Sequence, residues 1–174
     1  MTGATFGGET RIPAQVRLLL MDCFETLVAH DGERHAARRG VVQFLDHFCA
    51  KAGVPMAVVS DATEAQVDTA LREAGIRGSC LAIYGRGSGE LLPDGRHRKS
   101  LHPALAAFQV AAEDAVYIGD SPLDAAAAQA AGVPFVRVPR SEDRAFSFAT
   151  LISGPSRYRS SEFSSVFLDS FRRP

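Results

Sequence analysis

Three short apolar segments, each ending on small or acidic residues, are the feature that most limits how this chain can fold. They are residues 16–22 (VRLLLMD), 55–61 (PMAVVSD) and 115–121 (AVYIGDS). Continuous apolar runs, rather than alternating ones, are typical of parallel strands that are covered on both faces. Residues 81–85 (LAIYG) and 134–139 (PFVRVP) are weaker candidates of the same kind. The pattern therefore predicts a buried parallel sheet.

Helical patterns fill the intervals between these segments. Three of the four stretches are followed at once by glycine, which commonly ends a helix, and one begins with proline, which suits a first helical turn. The stretches cover residues 41–52, 63–74, 102–112 and 122–131. Strands that alternate with helices at this spacing predict βαβ units. We therefore expect a three-layer α/β/α sandwich with a parallel, Rossmann-like sheet.

The length and composition of the chain suit one globular domain with extensions at its ends, since 46% of its 174 residues are hydrophobic and 22% are charged. We expect a flexible tail over residues 1–14, an α/β core over 15–150 and an extension over 151–174. Within the extension, Phe163, Phe167 and Phe171 recur every four residues and form a helical apolar stripe. The stripe fits a terminal helix packed on the core, or a surface that docks on a second subunit or partly covers the site.

The charge and cysteine content exclude several classes of function. A net charge of −1 indicates no overall attraction to nucleic acid or to an anionic membrane. The cysteines, Cys23, Cys49 and Cys80, contain no CxxC pair and are odd in number, so neither a zinc site nor a disulfide framework is indicated. We see no membrane span and no signal-peptide core in the sequence. These features predict a cytoplasmic protein.

Polar residues follow the three main strand candidates. Asp22, Ser60–Asp61 and Asp120 come at the carboxyl ends, where open parallel sheets bind their ligands. Asp124 lies one helical turn beyond Asp120, on the same face. A basic residue, Lys99 or the adjacent Arg98, precedes the helical stretch 102–112 and is able to reach the same edge. The sequence therefore predicts one crevice with several carboxylates, a hydroxyl and a cation.

The chemistry that suits this set of residues is phosphate chemistry around a metal ion. Clustered carboxylates repel one another unless a cation lies between them, and oxygen ligands with open positions suit Mg²⁺. Ser60, a basic side chain and backbone N–H groups at helix starts are suited to bind phosphate oxygens. A carboxylate aligned with such a phosphate is a nucleophile, and Asp22 is the candidate. Alternatively, Ser60–Asp61 and Asp120–Ser121 only cap the helices that follow them. Capping alone does not explain why Asp124 and Asp120 accompany Asp22.

The motifs resemble those of the haloacid dehalogenase superfamily, over roughly residues 16–138, in a capless form of the phosphatase type. The matching segments are DCFETL at 22–27, VVSDA around Ser60, Lys99, and GDSPLD at 119–124. The resemblance implies that Asp22 is the nucleophile and a metal ligand, and that Ser60 and Lys99 hold the phosphoryl group. It also implies Mg²⁺ ligation by the Phe24 carbonyl and Asp120, with Asp124 binding or orienting the ion. We add Asp61 and Arg98 as candidate phosphate-binding residues.

The chain departs from the family pattern at four places. Phe24 stands where family phosphatases usually carry the aspartate that protonates the departing group, and Glu25 stands where they usually have glycine. Lys99 is followed by Ser100 instead of proline, and neither insertion point has room for a cap domain. Glu25, His30, Asp31 and His35 follow the nucleophile and are candidates to replace the lost acid, with Glu25 the nearest. We interpret Glu25 instead as a solvated side chain, and His30 and His35 as surface histidines. A site without a cap suits a large substrate, or one that a neighbouring subunit encloses.

The leading functional interpretation is Mg²⁺-dependent hydrolysis of a phosphate ester through an aspartyl-phosphate at Asp22. The alternative is a catalytically impaired protein of the same fold that serves in binding or regulation, because Phe24 replaces the usual acid–base residue. A third interpretation is a dehalogenase-type hydrolase. The predicted partner is a phosphorylated substrate, small or macromolecular, and a homodimer is the assembly to test.

Overall fold

A computed structural model describes residues 12–13 and 15–152 of the chain. In chain order its strands are β1 (Leu18–Met21), β2 (Val28–His30), β3 (His35–Ala37), β4 (Met56–Val59), β5 (Ala82–Tyr84), β6 (Glu90–Leu91), β7 (His97–Arg98), β8 (Ala115–Gly119) and β9 (Phe135–Arg137). Its α-helices are α1 (Val41–Leu45), α2 (Glu64–Glu73), α3 (His102–Phe108) and α4 (Pro122–Ala131). A π-helical segment, Asp46–Lys51, continues α1 directly.

The central sheet has five parallel strands in the order β5-β4-β1-β8-β9. All four residues of β1 are fully buried. Because side chains alternate along a strand, Leu19 and Met21 enter the apolar cluster on one face, while Leu18 and Leu20 enter the cluster on the other. Both faces of the sheet are therefore covered, and the expected α/β/α fold is confirmed.

Most predicted helices form where their sequence signals lie. Helix α2 begins after Thr63, which makes a reciprocal capping box with Gln66, and α4 begins with Pro122 and ends at Gly132 in a left-handed conformation. The predicted helix over 102–112 is too long, because α3 ends at Phe108. Gln109 adopts a left-handed conformation with φ of 54°, which ends the helix.

Two segments in which the sequence pattern predicts neither a helix nor a strand contain antiparallel hairpins. Strands β2 and β3 pair directly after the Asp22 loop, and β6 and β7 pair just before Lys99. Within residues 15–152 these hairpins, together with α1, α2 and β5, fill the two places where a cap would be inserted, and no cap-sized unit is present. Across the described residues, no helix combines the length and apolarity needed to cross a bilayer. The predicted tail over 1–14, apart from residues 12 and 13, and the phenylalanine stripe at 163–171 lie outside the described residues.

The strand order determines where the site lies. From β1 the chain builds β4 and β5 on one side of the sheet, and then crosses to build β8 and β9 on the other side. The connections that follow β1 and β8 therefore leave these neighbouring strands in opposite directions. In open parallel sheets such a switch point opens a crevice beyond the carboxyl ends of the strands. Asp22 and Asp120 directly follow these two strands.

Candidate active site

Asp22 lies at the carboxyl end of β1 with only 8% of its surface exposed. Its backbone N–H donates to the Ile118 carbonyl of β8 at 2.9 Å, which extends the sheet by one more bond. The Lys99 ammonium donates to Oδ1 at 2.9 Å, and the Thr26 hydroxyl lies 3.1 Å from Oδ2. Burial raises the pKa of Asp22 to about 7, against the lowering effect of Lys99, and the charge of Asp124 adds to the rise.

Thr26 joins the two strand ends. Its hydroxyl oxygen lies 3.1 Å from Oδ2 of Asp22 and 3.0 Å from Oδ1 of Asp120. A hydroxyl group has one proton, so it donates to only one of these carboxylates at a time. The other carboxylate then receives no proton from Thr26, while oxygen atoms of Asp22 and Asp120 lie within 4.8 Å of each other. The pair is therefore arranged to share a proton or a cation.

Lys99 is the cation at the centre of the acidic cluster. Its side chain is only 4% exposed, and Nζ lies 2.9 Å from Asp22, 2.6 Å from Asp124 and 3.4 Å from Asp61. Burial alone lowers the pKa of Lys99, but the charges of Asp22 and Asp124 outweigh it and raise that pKa above its usual range. The adjacent Arg98 is exposed and pairs with Glu90. Of these two candidates, the structure brings only Lys99 to the carboxylates.

Asp124 is fully buried, and its carboxylate is saturated with hydrogen bonds. Oδ1 accepts from Lys99 at 2.6 Å and from the Tyr117 hydroxyl at 2.7 Å. Oδ2 accepts from the N–H and the hydroxyl of Ser121, at 3.0 and 2.7 Å. Burial opposes ionisation of Asp124, but the charge of Lys99 and these hydrogen bonds outweigh burial and lower its pKa. Asp124 is therefore an anion at neutral pH that holds Lys99 in place.

Gly119 allows the Asp124 carboxylate to lie directly against the backbone of β8. A Cβ built on Gly119 is only 2.6 Å from the Cβ, Cγ and Oδ2 atoms of Asp124. The glycine of the GDSPLD segment is therefore a packing requirement.

Ser121 caps α4, whereas Thr63 caps α2. The capping interpretation thus holds for Ser121 and is wrong for Ser60 and Asp61.

Ser60 and Asp61 follow β4 at the same edge. Ser60 is buried, and its Oγ accepts from the Ala62 N–H at 3.2 Å, so the hydroxyl proton remains available for a ligand. Asp61 is exposed, and its carboxylate lies 3.4 Å from Nζ of Lys99. Its carbonyl accepts from Arg86 Nε at 2.9 Å. The structure thus brings Ser60 and Asp61 to Lys99.

Phe24 and Glu25 occupy the loop between Asp22 and Thr26. The Phe24 ring lies edge-on against His35 of β3, with centroids 5.3 Å apart. Its carbonyl accepts no hydrogen bond from the described part of the chain. Glu25 has a φ of 61°, and its carboxylate accepts from the N–H of Ser141 at 3.1 Å. The interpretation of Glu25 as a solvated side chain is therefore wrong.

Two further residues belong to the site and escape sequence analysis. Tyr117 binds Asp124, and a polar tip in the apolar run AVYIGDS is the only sequence signal for it. Arg140 lies after β9, with Nε 3.8 Å from Oδ2 of Asp120. No motif surrounds Arg140, so its position follows only from the fold.

The donor set fits a small divalent cation. Oxygen atoms of Asp22, Asp120 and Asp124 all lie within 4.8 Å of one another. Carboxylate and carbonyl oxygens are the ligands that Mg²⁺ prefers. Asp22 and Asp120 keep lone pairs that no described donor occupies, whereas the four lone-pair positions of Asp124 are all in use. Asp22 and Asp120 are thus the better suited to bind a metal directly.

Known structures share this architecture. One is a haloacid dehalogenase family hydrolase from Deinococcus radiodurans with bound phosphate and sodium: 19% identity, TM-score 0.59, covering 71% of this chain and 80% of that one. A mutant of CbbY from Rhodobacter sphaeroides in complex with xylulose-(1,5)bisphosphate has 16% identity and a TM-score of 0.60. The match covers 77% of this chain and 91% of that one. A predicted phosphoglycolate phosphatase from Haemophilus somnus has 22% identity and a TM-score of 0.52. The match covers 67% of this chain and 51% of that one. At these identities the likeness shows the fold.

Sequence comparison adds the family. No curated protein matches the chain significantly. The family model for haloacid dehalogenase-like hydrolases matches residues 14–138, which include all the motif residues from Asp22 to Asp124. Since this match spans well over half of the chain, the protein belongs to the haloacid dehalogenase-like hydrolase family.

Proposed function

We propose that this hydrolase cleaves phosphate esters in a Mg²⁺-dependent reaction through an aspartyl-phosphate at Asp22. The observation that carries the proposal is the placement of Asp22. Its buried carboxylate contacts Lys99 and Thr26, and lies within a 4.8 Å cluster with Asp120 and Asp124. A carboxylate beside a fixed cation and a metal-compatible cluster is suited to attack a phosphoryl group.

The metal-binding residues in this proposal are Asp22, Asp120 and the carbonyl of Phe24. Asp124 completes the set, either as a ligand or as the group that orients Lys99. When bound, Mg²⁺ supplies positive charge that polarises the phosphoryl oxygens and offsets the repulsion between the carboxylates. All of these groups are oxygen donors, as this cation requires.

The remaining roles fall to side chains of the chain itself. Lys99 and the Ser60 hydroxyl bind the non-bridging phosphoryl oxygens, and Asp61 and Arg98 lie at the outer edge of this phosphate site. A carboxylate oxygen of Asp22 forms a bond to phosphorus while the bond to the ester oxygen breaks. The departing oxygen takes its proton from water, because Phe24 carries none. A water molecule then hydrolyses the aspartyl-phosphate, which releases inorganic phosphate and restores Asp22.

The structural neighbours support a phosphorylated substrate. Phosphate is bound in the Deinococcus radiodurans hydrolase, and a sugar bisphosphate is bound in the CbbY complex. The Haemophilus somnus protein is a predicted phosphoglycolate phosphatase. We retain a phosphorylated compound, small or macromolecular, as the substrate class. A homodimer and a cytoplasmic location stay predictions.

The second candidate function is binding or regulation with little turnover, and the Phe24 contact favours it. The Phe24 ring packs against His35 where a carboxylate is expected, so no proton donor stands at that position. The loss of a general acid–base group commonly lowers the rate by about 10²–10⁴-fold. The acidic cluster and Lys99 are nevertheless complete, so phosphate binding does not depend on Phe24.

One assay separates the two candidates. Phosphate release is measured on an aryl phosphate and on a panel of metabolite and nucleotide phosphates, with and without Mg²⁺. We expect Mg²⁺-dependent turnover that disappears in Asp22→Asn and rises in Phe24→Asp. Asp46→Asn, an exposed carboxylate paired with Lys51, is the matched control. Turnover that survives Asp22→Asn contradicts the mechanism. Turnover that is absent from the native chain and appears only in Phe24→Asp favours the binding function.

A further inference from the structure

Glu25 adopts a backbone conformation that side chains with a Cβ rarely take. Its φ is 61°, in the left-handed region that suits glycine. The neighbours of Glu25 are Phe24, whose carbonyl is a proposed ligand, and Thr26, whose hydroxyl contacts Asp22 and Asp120. A change of conformation at Glu25 therefore displaces both. The surrounding structure has to hold this residue in place.

Hydrogen bonds from distant residues hold Glu25 at both its side chain and its backbone. The N–H of Ser141, at 3.1 Å, and the Ser141 hydroxyl both donate to Oε2 of Glu25. The Arg38 guanidinium donates to the Glu25 carbonyl, and to the Thr26 carbonyl at 3.4 Å. Ser141 is 116 residues away from Glu25 along the chain. The loop conformation is thus fixed by tertiary contacts.

The segment that carries Ser141 is itself anchored at both ends. We call residues 139–148 the return segment. Just before it, the Val138 N–H donates to the Gly119 carbonyl at 3.0 Å, next to Asp120. At its far end the Phe148 N–H donates to the Arg39 carbonyl at 3.0 Å, and the Phe148 ring is fully buried. The return segment therefore spans from the β8 side of the site to the β1 side.

Arg38 depends on the same segment. It is largely buried, and its guanidinium lies 5.7 Å from the Phe146 ring centroid and 6.0 Å from that of Phe148. Such contacts between a cation and aromatic faces fix the orientation of an arginine. Gly40 allows the close approach, since a Cβ there would be 2.7 Å from the Ala149 nitrogen. Both donors that hold Glu25 are thus positioned by residues 139–149.

We propose that the return segment positions the loop from Asp22 to Thr26, and that Ser141 is the residue of the return segment that does so. Ser141 holds Glu25 in the left-handed conformation and thereby keeps Thr26 between Asp22 and Asp120. The family match ends at residue 138, so this support lies outside the matched region. The inference deepens the proposed function and rests on it, since it names the residue that maintains the geometry of that same site. Ser141 acts through Glu25 and does not contact the reacting atoms.

The test compares glycine and alanine at position 25, alone and combined with Ser141→Ala. Glycine adopts a φ of 61° without support, whereas alanine does not. We expect Glu25→Ala and Ser141→Ala to lower kcat about 5–30-fold with a smaller change in KM, and Glu25→Gly to stay within about threefold of the native rate. Ser141→Ala is expected to have no further effect in the Glu25→Gly background. Ser141→Thr, which keeps the hydroxyl that Ser141→Ala removes, is expected to retain most of the native kcat.

A second measurement makes the inference independent of turnover. Amide hydrogen exchange is followed at Leu27 and Val28, whose N–H groups donate to the Cys23 carbonyl at 2.8 and 3.1 Å. We expect Ser141→Ala to speed this exchange in the native background and to leave it unchanged beside Glu25→Gly. Thr63→Ala is the control, because it removes a capping hydroxyl of the same kind from helix α2 instead of from the return segment.

The outcomes separate this inference from the proposed function. Equal loss of kcat in Glu25→Ala and Glu25→Gly overturns the positioning role, as does an effect of Ser141→Ala that persists beside Glu25→Gly. Absence of turnover in the native chain overturns the proposed function instead. In that case the exchange rates at Leu27 and Val28 still decide whether Ser141 positions the loop.

Discussion

The two halves of the site, one after β1 and one after β8, are held together by different kinds of contact. After β8, Asp124 packs against Gly119 and accepts hydrogen bonds from Ser121, all within six residues of sequence. After β1, the loop from Asp22 to Thr26 depends on residues far along the chain. The bonds from Lys99 to Asp22 and from Ser141 to Glu25 join residues 77 and 116 positions apart.

This difference indicates how each half responds to change. The β8 half forms together with helix α4, because a capping box and a close backbone contact define it. The β1 half requires the finished fold, since its supports come from the segment before α3 and from the segment after β9. We therefore expect mutations in the β8 half to act as local stability changes. Mutations that affect the β1 half are expected to couple to distant residues.

The largest expected effect comes from removing the residue that joins the two halves. Lys99→Met leaves Asp22 and Asp124 buried without their shared cation, and breaking a buried ion pair costs about 3–5 kcal/mol. We expect that loss in the free energy of unfolding, measured by urea denaturation at pH 8 in EDTA. Arg98→Met removes the adjacent, exposed pair with Glu90 and is expected to cost less than about 1 kcal/mol. Equal losses in the two variants contradict the central place of Lys99.

Replacing an aspartate by asparagine is expected to change the free energy of unfolding of the metal-free protein in opposite directions in the two halves. Folding raises the pKa of Asp22 to about 7, so the folded state binds its proton more tightly between about pH 4 and pH 7 and loses stability as the pH rises. Asp22→Asn removes this penalty and is expected to stabilise the protein at pH 8, by up to about 4 kcal/mol. Folding lowers the pKa of Asp124, so this carboxylate adds stability at pH values above its pKa in the unfolded chain. Asp124→Asn is therefore expected to destabilise the protein at pH 8.

Thermal unfolding at pH 5 and pH 8 in EDTA measures this contrast. The gain from Asp22→Asn has to be larger at pH 8 than at pH 5, because the native carboxylate is protonated at the lower pH. A gain that is independent of pH, or stabilisation by both variants, contradicts the assignment of opposite pKa shifts to Asp22 and Asp124.

An added methyl group tests the close packing of the β8 half. Gly119→Ala places a Cβ 2.6 Å from the Asp124 carboxylate and is expected to cost about 1–3 kcal/mol. Gly78→Ala is the matched control, since a Cβ there has nothing within 4 Å. Urea denaturation of both variants gives the comparison. If Gly119→Ala is as stable as the control, the contact with Asp124 does not limit this position.

The smallest expected effect compares two helix caps of the same type. Ser121→Ala removes the cap of α4 and Thr63→Ala removes the cap of α2, and each is expected to cost about 1 kcal/mol. Only Ser121 also binds the Asp124 carboxylate, so only Ser121→Ala is expected to weaken the binding of inorganic phosphate, measured by calorimetry with Mg²⁺. Equal weakening in both variants indicates that the cap influences the site only through stability.

Features that depend on local contacts could be predicted from the sequence, whereas features that depend on distant contacts could not. The five strands of the central sheet, helix α4 and the convergence of Asp22, Asp120 and Asp124 are evident in the sequence, because apolar runs, caps and strand order are encoded within a few residues. Alternation of side chains also predicts that Cys23, next to Asp22, points into the core, and Cys23 is fully buried. These signals are local or follow from general rules of sheet topology.

The rest depends on contacts that no local pattern encodes. Arg140 and Ser141 reach the site only because β9 returns the chain to it. The choice between Arg98 and Lys99 requires the β6–β7 hairpin, in which Arg98 pairs with Glu90 across the strands. Successive side chains then alternate in direction, so Lys99 is able to turn inward. Since the sequence pattern predicts no strand at this hairpin, this alternation has no basis in the sequence alone.

The contact between Phe24 and His35 has a consequence for chemical selectivity. In the proposed reaction, Phe24 stands in place of the usual acid and gives no proton to a basic alkoxide, so the barrier rises with the basicity of the alcohol that is expelled. Esters of acidic alcohols, acyl phosphates and phosphoanhydrides need no such help. The proposed reaction would therefore select substrates by the electronic character of the expelled group. Its rates should fall steeply along a series of increasingly basic alcohols, and a carboxylate at position 24 should flatten that slope.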